Sequence, residues 1–453
     1  MTQFDGTFRM VDVGPRTTGV WKLNLPRLSV WDWYAFFLAF SGWLSFNVGG
    51  TLFGSDFMLI LGLPILLTTR YELLLYKPVK WVLILSTFWL FSQMVTDLIR
   101  HTDAKDCARG WLMIIFTMAQ FCVIWILVHN SQRRAVLYVS GLALATVFRS
   151  VTFKSAFFLL DPWKFGYAFP AAIGVLLLVS FLMRKRYSVY FLIPIALLAM
   201  LNVYEGFRSH AFILMITAVV THGFKSLRQN GHTLSKRRLF TLGFAVLLAG
   251  VAVNWVYGYA ASHLWLGETS YQKYEAEVNG AGGVLLGGRS EILASSAAVA
   301  DSPIIGHGSW SKDPKYLWIM IQRQSALGYR SRGYNAERQA ESENAGIPTH
   351  SHIMSAWVDA GILGAVFWAY ILYLMVRFLV TLTGDEPFLP LVMFQVSLLI
   401  WDILFSPYGA ERRFSVTFFV ALALAINYQR EQQELRSKGS ARFFTRPAFA
   451  GPS

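Results

Sequence analysis

The chain has 453 residues, of which 55% are hydrophobic, 16% aromatic and only 15% charged, with a mean hydropathy of +0.44. Soluble domains carry about 25% charged residues, so this composition excludes an ordinary soluble enzyme and points to a polytopic membrane protein. The net charge of +14 and pI of about 9.7 do not indicate nucleic-acid binding, because the basic residues lie in short clusters between apolar runs.

The first 28 residues are polar and carry Arg9, Arg16, Lys22 and Arg27. They read as a cytoplasmic segment without a cleavable signal, because the apolar run that follows is long enough to remain as a span. Taking about 20 apolar residues per span predicts helices over 29–48, 52–67, 81–95, 111–128, 136–151 and 167–183. Further helices follow over 188–204, 211–223 and 239–259. A large polar loop, 260–355, then interrupts the pattern before the last three spans, over 356–380, 388–405 and 414–428. The tail 429–453 is polar and carries Arg430, Arg436, Lys438 and Arg442. The predicted fold class is therefore an all-α polytopic membrane protein, with about 12 transmembrane helices and one large loop containing short helices.

Twelve spans put both termini on one side. With the amino terminus cytoplasmic, the clusters Arg70/Lys77/Lys80, Arg133/Arg134, Arg184–Arg186 and Lys225–Arg238 all fall inside, and the large loop falls outside. Span parity and basic asymmetry thus agree. The two cysteines, Cys107 and Cys122, exclude a disulfide framework or a cysteine-based zinc site. No Walker loop, HExxH motif or internal repeat is present.

Candidate chemistry gathers on the outer side. Arg289 precedes the helix-forming run Glu291–Ala300, so a cation sits beside a helix start, where free N–H groups favour anions. The competing reading pairs it with Glu291. Arg208 lies in a tight turn at the hydrocarbon boundary and must find an anion, either a substrate, a lipid headgroup or Glu205. His350 and His352 stand where the polar loop becomes an apolar helix, and an imidazole suits a general base. Asp359, seven residues after His352, is placed to orient it if the helix begins that early. Arg412 and Arg413 break the positive-inside pattern and read as anion binders, with Asp402 a candidate partner. His307, between two glycines, reads as a turn residue. The residues call for no metal and no cofactor.

Three motifs occur in order: Arg208-Ser209 after a span; Gly288-Arg289 leading to Ser302-Pro-Ile-Ile-Gly-His-Gly308; and His350-Ser351 eleven residues before Gly361-Ile-Leu-Gly364. With these, the chain resembles the bacterial O-antigen ligase and O-antigen polymerase superfamily over about 188–380 and in its span plan. It departs from the family pattern at Ser351, where asparagine is usual, and it carries a second imidazole at His352, which leaves open which histidine acts. The resemblance implies an inverting, metal-independent glycosyltransferase of the inner membrane with its loop in the periplasm. It further implies a donor glycan on undecaprenyl diphosphate and an acceptor that is either the lipid A core, for a ligase, or another lipid-linked repeat unit of O-antigen or exopolysaccharide, for a polymerase. By motif, Arg208 and Arg289 would bind the diphosphate and His350 would be the catalytic histidine. From their positions in the sequence, His352, Arg412, Arg413 and Asp359 are further substrate-binding candidates. Two other classes fit the composition: a transporter or flippase for an anionic substrate, and a scaffold in a surface-polysaccharide assembly complex.

Overall fold

The computed structural model describes residues 28–183, 187–229, 236–283, 287–329, 345–382, 384, 386 and 388–444. The predicted cytoplasmic segment up to residue 27, the Arg184–Arg186 cluster, 230–235 of the predicted inside loop, 284–286 and 330–344 of the predicted large loop, and the last nine residues lie outside them. Seventeen α-helices form among the described residues, and seven helices are long and apolar enough to cross a membrane.

Helix α1 (Val30–Phe40) starts at a reciprocal cap, Asp32 N–H donating to Ser29 Oγ at 3.2 Å and Ser29 N–H to Asp32 Oδ2 at 3.0 Å. It ends earlier than the predicted 29–48 span. A short antiparallel hairpin, Ser45–Asn47 with Thr51–Phe53, replaces the last part, because Val48-Gly49-Gly50 supplies turn chemistry where a helix would need side chains. The chain then runs through α2 (Gly54–Arg70), α3 (Lys77–Arg100), α4 (Ala104–Val128), α5 (Gln132–Thr152), the short α6 (Ala156–Leu160), α7 (Ala168–Leu182), α8 (Ile193–Tyr204), α9 (Arg208–Gln229) and α10 (Lys236–Ser262). Helices α1 and α5 touch closely: a Cβ at Gly141 would sit 2.5 Å from the Phe36 carbonyl, so only glycine lets the two backbones meet.

The last helix, α17 (Arg413–Phe444), is apolar on every side in its first half, and nearly all of Val416–Ile426 is buried. It packs on α4, whose Phe121–Val128 stretch is likewise buried throughout, and on α16 (Leu389–Phe405). A helix apolar all round belongs in the centre of a bundle. The run 414–428, short as a predicted span, therefore lies at the middle of the bundle.

The two ends of the bundle differ. At one, Arg134 pairs with Asp32 at 3.1 Å and Gln429 donates to the His129 carbonyl at 3.0 Å. At the other lie the hairpin, the Arg149–Glu411 pair and the polar segment 263–351. The described residues of that segment form a folded cap. It contains α11 (Glu268–Val278), α12 (Glu291–Asp301) and α13 (Pro314–Ala326), and shares a small core with α14 (His352–Ala360) built on Ala294, Ala298, Tyr316, Leu317, Ile321 and Val358. One edge is fastened to the bundle. Asp97 accepts hydrogen bonds from Ser309 N–H (2.6 Å), Ser309 Oγ (2.7 Å) and Trp111 Nε1 (2.7 Å). Arg100 donates to Ser302 Oγ at 2.7 Å and the Gly306 carbonyl at 2.8 Å, and Lys312 pairs with Asp106 at 2.7 Å.

The predicted span 356–380 is two helices. Gly361 stands between α14 and α15 (Ile362–Thr381) with φ +71°, and a Cβ there would lie 1.9 Å from the Ile304 carbonyl. The break exists because the cap backbone packs against the joint, which only glycine permits. Helix α14 thus belongs to the cap.

Candidate functional site

At the cap end, three cations, Arg289, Arg412 and Lys164, act on one imidazole, that of His350, and a fourth, Arg208, acts on Arg289. Arg208 is the first residue of α9, delivered by a tight α8–α9 hairpin in which Phe207 N–H donates to the Asn202 carbonyl at 2.8 Å. Its guanidinium pairs with Glu277 at the end of α11, not with Glu205, and stands 4.5 Å from the ring centroid of Tyr257. Glu277 is 2% exposed, so this pair ties α11 to the bundle.

Arg289 lies just ahead of α12, as the sequence suggests, with its guanidinium 6.0 Å from the Trp401 ring. It is half-buried and makes no ion pair among the described residues. Burial lowers its pKa from the ordinary value; the charges of Glu291 and Glu277 oppose that shift, and those of Arg208 and Arg412 add to it. All five charges therefore act on one region. Arg412, in the turn between α16 and α17, pairs with Asp402 at 2.6 Å and keeps 40% of its side chain exposed.

His350 sits in the middle of these groups. Its Nδ1 is 3.8 Å from Glu291 Oε1. Burial lowers its pKa, Glu291 pulls it up, and Arg289, Arg412 and Lys164 push it further down. The net shift is downward and favours the neutral imidazole, the form that can act as a general base.

His352 has a different place. It is fully buried, its Nδ1–H donates to the Ser406 carbonyl at 2.6 Å, and Trp368 and Tyr408 pack on its ring. Burial drives its pKa down to about 4. Together with Ser351, whose hydroxyl donates to the Ile403 carbonyl at 2.8 Å, it fastens the start of α14 to the end of α16. Of the two imidazoles, His350 is the one among the cations.

Besides His352, two sequence candidates are not at this site. Asp359 does not orient His352: seven residues along a helix is about 10 Å, and Asp359 lies at the far end of α14, beside Asp97, with its carbonyl accepting from Gly308 N–H at 3.0 Å. Arg413 is not an exposed anion binder. It is 2% exposed, paired with Asp56 at 2.5 Å and walled by Phe53, Phe116 and Phe414. His307 is a turn residue, its Nε2 2.8 Å from the Ala298 carbonyl.

Sequence reasoning missed Lys164, Glu277 and the facing of Glu291 to His350. Lys164 carried a usable signal, since lysines among the outer-turn aromatics, Lys154 and Lys164, break the positive-inside pattern as Arg412 does. Glu277 carried none: one acid in a mixed helix looks like any solvated residue. Among the described residues no group of three or more His, Cys, Asp or Glu is placed to hold a metal ion. No family model matches the chain, and no curated protein or solved structure does.

Proposed function

We propose that the protein is a membrane glycosyltransferase that moves a glycan from a polyprenyl diphosphate, undecaprenyl diphosphate in a bacterium, to an acceptor hydroxyl. The acceptor is the lipid A core or a second lipid-linked glycan. In this reading α1–α5, α7–α10 and α15–α17 make twelve crossings, and the cap faces the periplasm. The basic residues Arg70, Lys77, Lys80, Arg133 and Arg134 belong to the opposite end, as the positive-inside rule requires of a cytoplasmic face.

The observation that carries the reading is the setting of His350, whose field comes from Arg289, Arg412 and Lys164, with Arg208 acting on Arg289. A diphosphate leaving group needs such charges. As the bond from the anomeric carbon to the phosphate oxygen breaks, that oxygen keeps the electron pair and its charge grows. Each charge-assisted hydrogen bond to it contributes about 1.5–3 kcal/mol. The acceptor O–H proton passes to His350, and the acceptor oxygen bonds to the anomeric carbon from the opposite face, inverting it. Arg289 is the first residue to meet the phosphates, because no carboxylate has to be displaced from it.

The test is purified protein in nanodiscs with a lipid-linked glycan and candidate acceptors, the products resolved by chain length. Arg289→Ala and His350→Ala remove product while leaving the protein folded. Undiminished transfer by both variants overturns the proposal. Attachment to lipid A core identifies a ligase; lengthening of the lipid-linked chain identifies a polymerase.

A further inference from the structure

The cluster holds a carboxylate that neither the diphosphate nor the acceptor requires. We infer that Glu291 is a positioning residue for His350, holding the Nδ1 edge of the ring so that Nε2 faces the acceptor hydroxyl. The inference rests on the glycosyl-transfer reading above.

The geometry comes from two rigid supports. Glu291 is the first residue of α12, whose inner face, Ala294 and Ala298, is packed in the cap core. His350 directly precedes Ser351 and His352, which are fastened to the carbonyls of Ile403 and Ser406. Neither backbone can drift, and the two side chains meet with Oε1 3.8 Å from Nδ1. That is longer than a hydrogen bond, and both side chains are about one-third exposed (31% and 34%), so a small rotation closes the gap. Catalytic contacts are commonly long before substrate binds.

The chemistry needs the contact. A neutral imidazole carries its proton on either nitrogen, and only the form protonated on Nδ1 offers Nε2 as a base. A carboxylate at Nδ1 selects that form and stabilises the imidazolium made when the acceptor proton arrives. The other charged groups that act most on His350 are cations: Arg289 from the loop before α12, Arg412 from the α16–α17 turn, paired there with Asp402, and Lys164 from the segment before α7. Each of them disfavours the imidazolium. Glu291 supplies the opposing charge. It is not simply the counter-ion of Arg289, since the two make no ion pair.

The decisive variant is Glu291→Gln, which keeps the shape and removes the charge. Where a carboxylate holds a catalytic imidazole, the acid-to-amide change lowers kcat by up to about 10⁴-fold; here kcat falls with KM for the lipid-linked donor unchanged. The base works when neutral, and Glu291 raises the His350 pKa, so its loss moves the acid limb of the kcat–pH profile to lower pH. Glu291→Asp recovers part of both effects. An unchanged kcat and limb, or a change confined to donor KM, overturns the inference; the latter would make Glu291 a partner of Arg289 alone. Histidine NMR titration reads the same contact without turnover, with His350→Gln assigning the signal. A His350 pKa that falls in Glu291→Gln supports the contact, and an unmoved one overturns it. Should the wild-type protein transfer no sugar while that pKa still depends on Glu291, the transferase reading fails and the contact stands.

Discussion

Neighbouring arginines in this protein have opposite jobs. Arg413 and Asp56 are 2% and 3% exposed and bridge α17 to the start of α2, where Asp56 also accepts from Phe53 N–H at 2.8 Å. Removing one partner of such a pair leaves a buried charge, at a cost of about 3–5 kcal/mol. Arg413→Met is therefore expected to lower thermal stability in detergent severely, and Asp56→Asn to do much the same. Arg412→Ala also leaves a buried partner, Asp402, unpaired, but Arg412 is itself 40% exposed, so it is expected to cost less stability than Arg413→Met and to lower transfer more. Comparing melting temperature with turnover for the two variants separates the roles. The histidines divide in the same way. His352 has a folded-state pKa of about 4 against an ordinary 6.5. The unfolded chain binds that proton more readily, so the stability it contributes is present above pH 6.5 and drains away as pH falls through about 4. The full effect is on the order of 3 kcal/mol. Melting temperatures between pH 7.5 and 4 should fall in the wild type and fall less steeply in His352→Asn.

At the level of elements, the cap is fastened on one edge by the bonds of Asp97, Arg100 and Lys312, tied elsewhere by Arg208–Glu277 and by Ser351 and His352, and joined to α15 through a single residue. Gly361→Ala would place a methyl 1.9 Å from the Ile304 carbonyl at a φ of +71°. Strain of about 1–3 kcal/mol comes from the backbone alone, and the clash adds to it. The expected outcome is loss of folded protein, read by size-exclusion yield. Asp97→Asn tests the other edge. It weakens the three hydrogen bonds that hold Ser309 and Trp111, so the cap is expected to become sensitive to limited proteolysis while the bundle stays intact. Because the cap carries Arg289 and His350, that loosening should also reduce transfer. A protease-resistant cap in the variant would show that the remaining bonds of Arg100 and Lys312 suffice.

The whole molecule is a helical bundle with one polar, capped end. The proposed orientation predicts that single cysteines at exposed Gln272, in the cap, and exposed Gln433, on α17, react with an impermeant maleimide from opposite sides of the membrane. In a background lacking Cys107 and Cys122, Gln272→Cys should label in spheroplasts and Gln433→Cys only after lysis. The reverse pattern would put the cap in the cytoplasm and end the proposal that it works on an extracytoplasmic glycan.

Apolar run length and basic asymmetry made the helical membrane architecture legible, because both follow from local composition: a stretch of about 20 apolar residues has few other places to go. The same local logic marked Arg208, Arg289, His350 and Arg412, each a polar group at a boundary that would otherwise be costly. Run length could not show that α1 stops at Phe40 or that Gly361 divides α14 from α15, since those breaks are set by a turn and by a carbonyl from a distant segment. Nor could it tell Arg412 from Arg413, or His350 from His352. In each of those pairs two like residues in one short stretch face different neighbours, and only packing assigned one to buried partners and the other to the charged cluster. Glu277 and Glu291 acquired their partners the same way, by being brought across the fold to Arg208 and to His350, which local sequence does not link to them.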